Sequence, residues 1–144
     1  MIISADKAAD LRLGYLQVIQ SIITRLSGYS ASLKNYCLTL VTAICGFGVT
    51  IQRPGAIWLA ALPIILFAIL DARYLCLERS AIAAYDEVRE GDWSAIPSFA
   101  ISLRPPDSYC RALLSWSVAG FYVSVLAGVA AVALIFGYAL GRAF

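Results

Sequence analysis

The sequence predicts an all-α integral membrane protein: an N-terminal amphipathic helix, a transmembrane helical hairpin whose second arm continues into a cytoplasmic helix, and a third transmembrane helix. Three observations carry that class. First, 61% of the 144 residues are apolar and 14% are charged, where a soluble domain has about 45–50% and about 25%. A core this small cannot hide the surplus, whereas a bilayer takes it up. Second, the stretches 35–52, 54–70 and 112–141 contain no Asp, Glu, Lys or Arg, and a hydrocarbon core of roughly 30 Å needs about 17–25 helical residues. Third, the cations divide unevenly around those stretches: Lys7, Arg12, Arg25, Lys34, Arg73, Arg79, Arg89, Arg104 and Arg111 fall on one side, Arg53 and Arg142 on the other. Positive residues stay inside, so the N-terminus is expected in the cytoplasm and the C-terminus outside.

Segment 1–30 is the amphipathic helix. Leu13, Leu16, Ile19, Ile22, Ile23 and Leu26 recur every three or four positions, with Asp10, Arg12, Gln17, Gln20 and Arg25 between them. It is too polar to span, and its stripe suits a membrane surface or a neighbouring helix. Gly28 is the expected stop, and Ser30 or Ser32 the N-cap of the next helix. No short apolar core with a small-residue cleavage site follows the first ten residues, so insertion through the chain's own spans is expected.

Segment 33–90 is the hairpin with its extension. The first span, 35–52, ends at Arg53-Pro54-Gly55, where proline stops a helix and glycine accepts positive φ. The second, 54–70, contains Pro63 as a kink and runs into Leu70-Asp71-Ala72-Arg73-Tyr74-Leu75-Cys76-Leu77-Glu78-Arg79 without Gly or Pro, so helix is expected as far as Glu90. Gly91 is its C-terminal residue. Segment 91–111, with Pro97, Pro105 and Pro106, reads as a cytoplasmic loop with an interfacial turn around Trp93 and Phe99. Segment 112–144 is the third span, with Trp116, Tyr122 and Tyr138 as interface anchors.

Two constellations stand out. Asp71 and Glu78, seven apart with Tyr74 between them, share a helix face at the cytoplasmic end of the second span. Charge near the hydrocarbon needs partners, and Arg25 and Lys34 approach from the same side. Arg25, Lys34, Asp71, Arg73, Glu78 and Arg79 therefore form either a salt-bridged collar locking the first helix to the hairpin or a charged gate at a pore mouth. Small residues at four-residue spacing make the second: Gly120, Ser124 and Gly128 in the third span, and Gly46 and Thr50 in the first. Such faces serve packing within the chain, contacts in a homo-oligomer, or a hydroxyl-lined channel.

The inventory argues against an enzyme. There is no histidine, no Gly-rich phosphate loop and no metal-ligand spacing. Asp71 has no second carboxylate in the other spans to form an aspartyl pair. No cofactor is expected. Cys37, Cys45, Cys76 and Cys110 lack CxxC spacing and read as small hydrophobes. The near-neutral balance of 11 cations and 9 anions gives no nucleic-acid footprint.

Leu16-Gln17-Val18-Ile19-Gln20-Ser21-Ile22-Ile23-Thr24-Arg25-Leu26-Ser27, then Ser32-Leu33-Lys34, and the run from Leu70 to Arg79 leading to Tyr85-Asp86-Glu87-Val88-Arg89, resemble the SLATT group of small bacterial membrane effectors of antiviral conflict systems. The resemblance covers the first two-thirds of the chain, and the third span departs from it. It implies an oligomeric inner-membrane effector in antiphage defence that permeabilises or depolarises the bilayer on a cytoplasmic signal, sensed by a partner protein or by the 91–111 loop. Against it stand a non-conducting scaffold that docks a cytoplasmic partner, and a constitutive small channel.

Overall fold

The computed structural model describes residues 5–93 and 109–143, and every regular element among them is helical. Helix α1, Ala5–Thr50, is followed by α2, Pro54–Ile57, a 3₁₀ turn at Trp58–Ala60, and α3, Ala61–Glu90. Helix α4, Tyr109–Leu113, leads to a π-helical turn at Trp116–Gly120 and α5, Phe121–Ala143. Three helical stretches are long and apolar enough to cross a membrane. Phe99, Arg104 and the prolines of the expected loop lie outside the described residues.

One seam explains the long rods. Along α1 the residues turned inward are Ala8, Arg12, Tyr15, Leu16 and Ile19, then half-buried Ile23, Leu26, Ser30 and Lys34, then Cys37, Val41 and Gly48. The steps of three and four keep one face on α3, its principal neighbour. Because the phase never slips, α1 does not stop at Gly28 as expected but runs unbroken from Ala5 to Thr50. A mid-helix glycine costs only about 1 kcal/mol relative to alanine, and contacts on both sides outweigh that. Ser32 caps nothing; its hydroxyl donates back to the Gly28 carbonyl at 2.9 Å. The rod is 46 residues long, about 69 Å at 1.5 Å per residue.

The reversal after α1 is closed by two bonds, Arg53 N–H to the Gly48 carbonyl at 3.1 Å and Gln52 N–H to the Val49 carbonyl at 3.1 Å. These are the paired bonds of a Schellman ending. The positive φ it requires falls on Gln52, at 55°, and not on Gly55, which lies inside α2. Pro54 fixes the first turn of α2. The 3₁₀ tightening at Trp58–Ala60 lies one turn before Pro63, which has no N–H to give the Leu59 carbonyl. At the far end α3 runs to Glu90 as expected, and Gly91 ends it in an extended conformation, φ −67° and ψ 168°.

The third stretch is interrupted, contrary to the single helix expected over 112–141. Ser115 is extended, φ −66° and ψ 147°, and its carbonyl accepts from Val118 and Ala119 at 3.1 and 2.8 Å. Upstream, α4 is pinned to α3 by the Tyr109 hydroxyl, which donates to the Ile69 carbonyl at 2.7 Å. At the other end Gly137 approaches Pro54. Helix α5 therefore runs antiparallel to the apolar part of α3, with its C-terminal end beside the hairpin turn.

The surface of the apolar parts is itself oily: Leu62, Leu134 and Ile135 are exposed, and Trp116 is 90% exposed. Tyr138 also faces out, with the Arg142 guanidinium 4.7 Å from its ring centroid. Tyr122, expected as a third anchor, is buried against α3 instead.

Candidate functional site

Where α1, α3 and the start of the third stretch meet, a polar joint is built into the apolar seam. Asp71 contributes the carboxylate and is fully buried. Ser30 donates to its Oδ1 at 2.5 Å, and the Lys34 ammonium lies 3.3 Å from its Oδ2. The same ammonium reaches Ser30 Oγ and Ser117 Oγ, each at 3.3 Å, and stands 5.9 Å from the centroid of the Phe121 ring. Ser30 and Lys34 are one turn apart on α1. Ser117 comes from the π-helical turn, so three elements share one ion pair.

Tyr122 completes the joint from behind. Its buried hydroxyl faces the Asp71 carboxylate. Asp71 Oδ2, for its part, makes no well-formed hydrogen bond beyond the ion pair. Taking a carboxylate out of water costs several kcal/mol, which only a close counter-charge with further hydrogen bonds offsets. Lys34 and Ser30 supply both, and the joint therefore fixes the register of α1 on α3.

Of the expected collar, Lys34 and Asp71 meet directly. Glu78, two turns further along α3 and half-buried, senses the charges of Asp71, Lys34 and Arg79. Arg25 and Arg73 point to the exterior and stand outside the joint. Tyr74 packs its ring against Tyr29 at 5.6 Å between centroids, a second tie between α1 and α3.

A further clasp lies at the charged tip, where α1 begins and α3 ends. Arg12, 4% exposed, donates to the carbonyl of Gly91 at 2.6 Å and stacks 5.4 Å from the Trp93 ring centroid. It satisfies a carbonyl that the helix end leaves open.

Most of the small residues expected to form a packing or oligomer face are turned outward in the protomer. A Cβ on Gly46 or Gly128 would meet nothing within 4 Å. Thr50 and Ser124 are exposed and bond only their own helix, to the Gly46 and Gly120 carbonyls at 2.9 and 2.6 Å. Gly120 faces the Trp116 ring of its own turn. The glycine that allows close approach is Gly48, where a Cβ would come 2.7 Å from Ile57 Cγ1 and 3.2 Å from its backbone nitrogen.

No family model matches the chain, and no curated protein or solved structure matches it. Function has to be argued from the joint itself. Ser30 and Tyr122 escaped sequence reasoning because each had another assignment, as cap and anchor, and Ser117 because nothing in the sequence singled it out. The usable signal was phase: Ser30 and Lys34 continue the series of Ile19, Ile23 and Leu26, so polar groups occupy seam positions. Among the described residues no three metal-ligating side chains converge. Cys37 and Cys76 are buried, Cys45 is half-buried and Cys110 exposed, all as free thiols.

Proposed function

We propose that the chain is a homo-oligomeric effector of the bacterial inner membrane that permeabilises or depolarises the bilayer on a cytoplasmic signal, in the setting of antiphage defence. In this reading the N-terminus is cytoplasmic, the C-terminus is outside, no cofactor takes part and no reaction is catalysed. The observation that carries it is the buried Asp71–Lys34 pair, set where a charged two-helix stalk, α1 before Lys34 and α3 after Asp71, joins three apolar segments. A signal protein that grips the stalk acts on that pair through rigid helix. The outward Gly46, Thr50, Ser124 and Gly128 positions support self-association, because small residues let lipid-facing helices come close.

Induced expression in bacteria loaded with a potential-sensitive dye tests the reading, with and without genes encoded beside it. Depolarisation and growth arrest are expected, altered in Asp71→Asn. Unchanged potential in every combination counts against it.

A second reading, a non-conducting scaffold, is supported by Leu11, Leu13, Val18, Leu77 and Ile82, apolar and exposed on the stalk. Co-purification separates the two: a stoichiometric cytoplasmic partner on a monomer favours the scaffold, and a closed symmetric ring favours the effector.

A further inference from the structure

We propose that the apolar slot between α3 and the third helical stretch is a lipid site, which takes one acyl chain of an anionic phospholipid and holds its headgroup at Arg73. The slot has a volume of about 300 Å³ and is walled by α3, α4, the π-helical turn and α5, with Ile65, Ile69, Leu113 and Val123 among its lining. Its origin is the break at Ser115, where the third stretch turns aside into α4. Two alanines, Ala68 and Ala119, then stand on its walls where larger side chains would fill the gap.

The edges of the slot belong to the oily surface. Ile65, Ile69 and Val123 are all exposed, on helices long and apolar enough to cross a membrane, so the opening faces hydrocarbon. An apolar cavity of about 150 Å³ stays dry and takes up benzene; this one is about twice as large and has room for a run of methylenes. Left empty, its walls would forfeit their dispersion contacts. A neighbouring helix, about 10–12 Å across, would bridge the edges without filling the space between them. The acyl chain is the component of the bilayer core narrow enough to enter.

Charge sets the direction in which it lies. Ile65, Ile69 and Arg73 follow one another at four-residue spacing along α3, so Arg73 continues the edge of the slot one turn past its end, where the apolar run stops. It is exposed and enters no ion pair among the described residues, and its guanidinium fork matches a phosphate. Beside it the Tyr109 hydroxyl, bonded to the Ile69 carbonyl at 2.7 Å, holds α4 in place as the end wall. In the other direction along α3 no cation occurs between Ile65 and Arg53. The headgroup therefore sits at Arg73 and the tail runs toward Leu126. The site rests on the membrane placement of α3 and α5 and is independent of the effector reading.

The test is native mass spectrometry of the purified full chain released from detergent, titrated with phosphatidylglycerol, with phosphatidylcholine of the same acyl chains, and with glycerol phosphate. One phosphatidylglycerol per chain is expected to bind saturably and about fivefold tighter than phosphatidylcholine, the factor that corresponds to about 1 kcal/mol for one cation beside an anionic headgroup. Glycerol phosphate, which has no tail, should not bind. Arg73→Gln, at an exposed position, should bring phosphatidylglycerol down to the level of phosphatidylcholine. Ala119→Phe, which fills the slot, should abolish saturable binding of both; should it not purify, Ala68→Leu on the opposite wall is read instead, and if neither purifies Arg73→Gln decides alone. Equal affinities for the two lipids in the wild type overturn the proposal, as do a preference that survives Arg73→Gln, saturable binding that survives a filled slot, and a dimer that phosphatidylglycerol does not disperse. Neither membrane potential nor growth is read, so the effector reading can fail separately.

Discussion

Gly46 and Gly48 lie two residues apart on α1, and alanine at each is expected to move stability in opposite directions. At Gly48 a Cβ would sit 2.7 Å from Ile57 Cγ1, 3.2 Å from Ile57 N and 3.5 Å from Ile57 Cα. Two of those atoms are backbone, held by the Schellman bonds and by Pro54, so relief requires the hairpin turn itself to open. Overpacking of this kind costs about 1–3 kcal/mol, and the better helix propensity of alanine returns at most about 1 kcal/mol. The net expectation for Gly48→Ala is a loss of up to about 2 kcal/mol. At Gly46 the same methyl meets open space, so the propensity gain stands alone and Gly46→Ala is neutral or stabilised by up to about 1 kcal/mol. Reversible unfolding in mixed micelles, followed by helical ellipticity as the denaturing detergent fraction rises, measures both. Equal effects, or a Gly48→Ala chain more stable than the wild type, would refute the hairpin packing. The same pair separates folding from assembly: Gly46→Leu should leave unfolding nearly unchanged while weakening cross-linking between copies, if the open face is the oligomer contact.

Three further outcomes follow from the geometry. Asp71→Leu with Lys34 retained should cost about 3–5 kcal/mol, since a half-buried ammonium loses its counter-charge, whereas Lys34→Met/Asp71→Leu should come close to the wild type; a double-mutant cycle in mixed micelles reads the coupling. Arg12→Ala removes the donor to Gly91 and the stacking on Trp93, which should raise amide exchange over 87–93 by roughly tenfold or more, for a loss of about 1.5–3 kcal/mol; unchanged exchange would mean the clasp contributes nothing. Single cysteines in a cysteine-free background should place Asp86 on the cytoplasmic side and Arg53 on the other, read by a membrane-impermeant maleimide; labelling of both from one side would refute the three-span arrangement.

The apolar spans were legible because composition and run length suffice to mark them, and the α3 extension because nothing in it interrupts a helix. The hairpin turn was found, but its glycine was misassigned. With Pro54 fixed as the first residue of α2, the reversal has only Ile51, Gln52 and Arg53 to work with, and the left-handed residue has to be one of these, none of which is glycine. Gly28 misled in the opposite sense: a residue that breaks isolated helices is carried through when a seam runs past it on both sides. The interruption at Ser115 left no trace, since neither Gly nor Pro marks it; its bonds run from Ser115 to Val118 and Ala119 within the turn.

The site shows the same division between composition and phase. Lys34 and Asp71 were legible as charges at the edge of apolar runs, but so were Arg25 and Arg73, and charge alone does not sort them. Arg73 is two residues from Asp71, about 200° around α3, and faces away. Arg25 is five residues from Ser30, about 140° out of phase with the seam. What selects the pair is the register of the hydrophobic stripe, which carries Ile19, Ile23 and Leu26 on to Ser30, Lys34 and Cys37.

The continuity of α1 constrains how any movement could pass through the joint. A helix of 46 residues without a break cannot bend sharply at the apolar boundary unless some of its i→i−4 bonds open. Displacement of its N-terminal end therefore appears as tilt or sliding of its apolar half. The pivot is set by the tightest contacts: Gly48 against Ile57 at the turn, and Lys34 with Ser30 against Asp71 about two-thirds of the way down the rod. Sliding by four residues would move the ammonium by about 6 Å and rotate it by only about 40°, which separates it from Asp71 while the apolar stripe still faces α3. The polar joint is thus the element that discriminates between registers that oil alone would accept, and its loss should appear first as a second population of α1 positions. Double electron–electron resonance between labels at Gln20 and Asp86 should show a single distance in the wild type and a broadened or split one in Lys34→Met/Asp71→Leu, even though that variant keeps its stability; an identical distribution would mean that the seam alone holds the register.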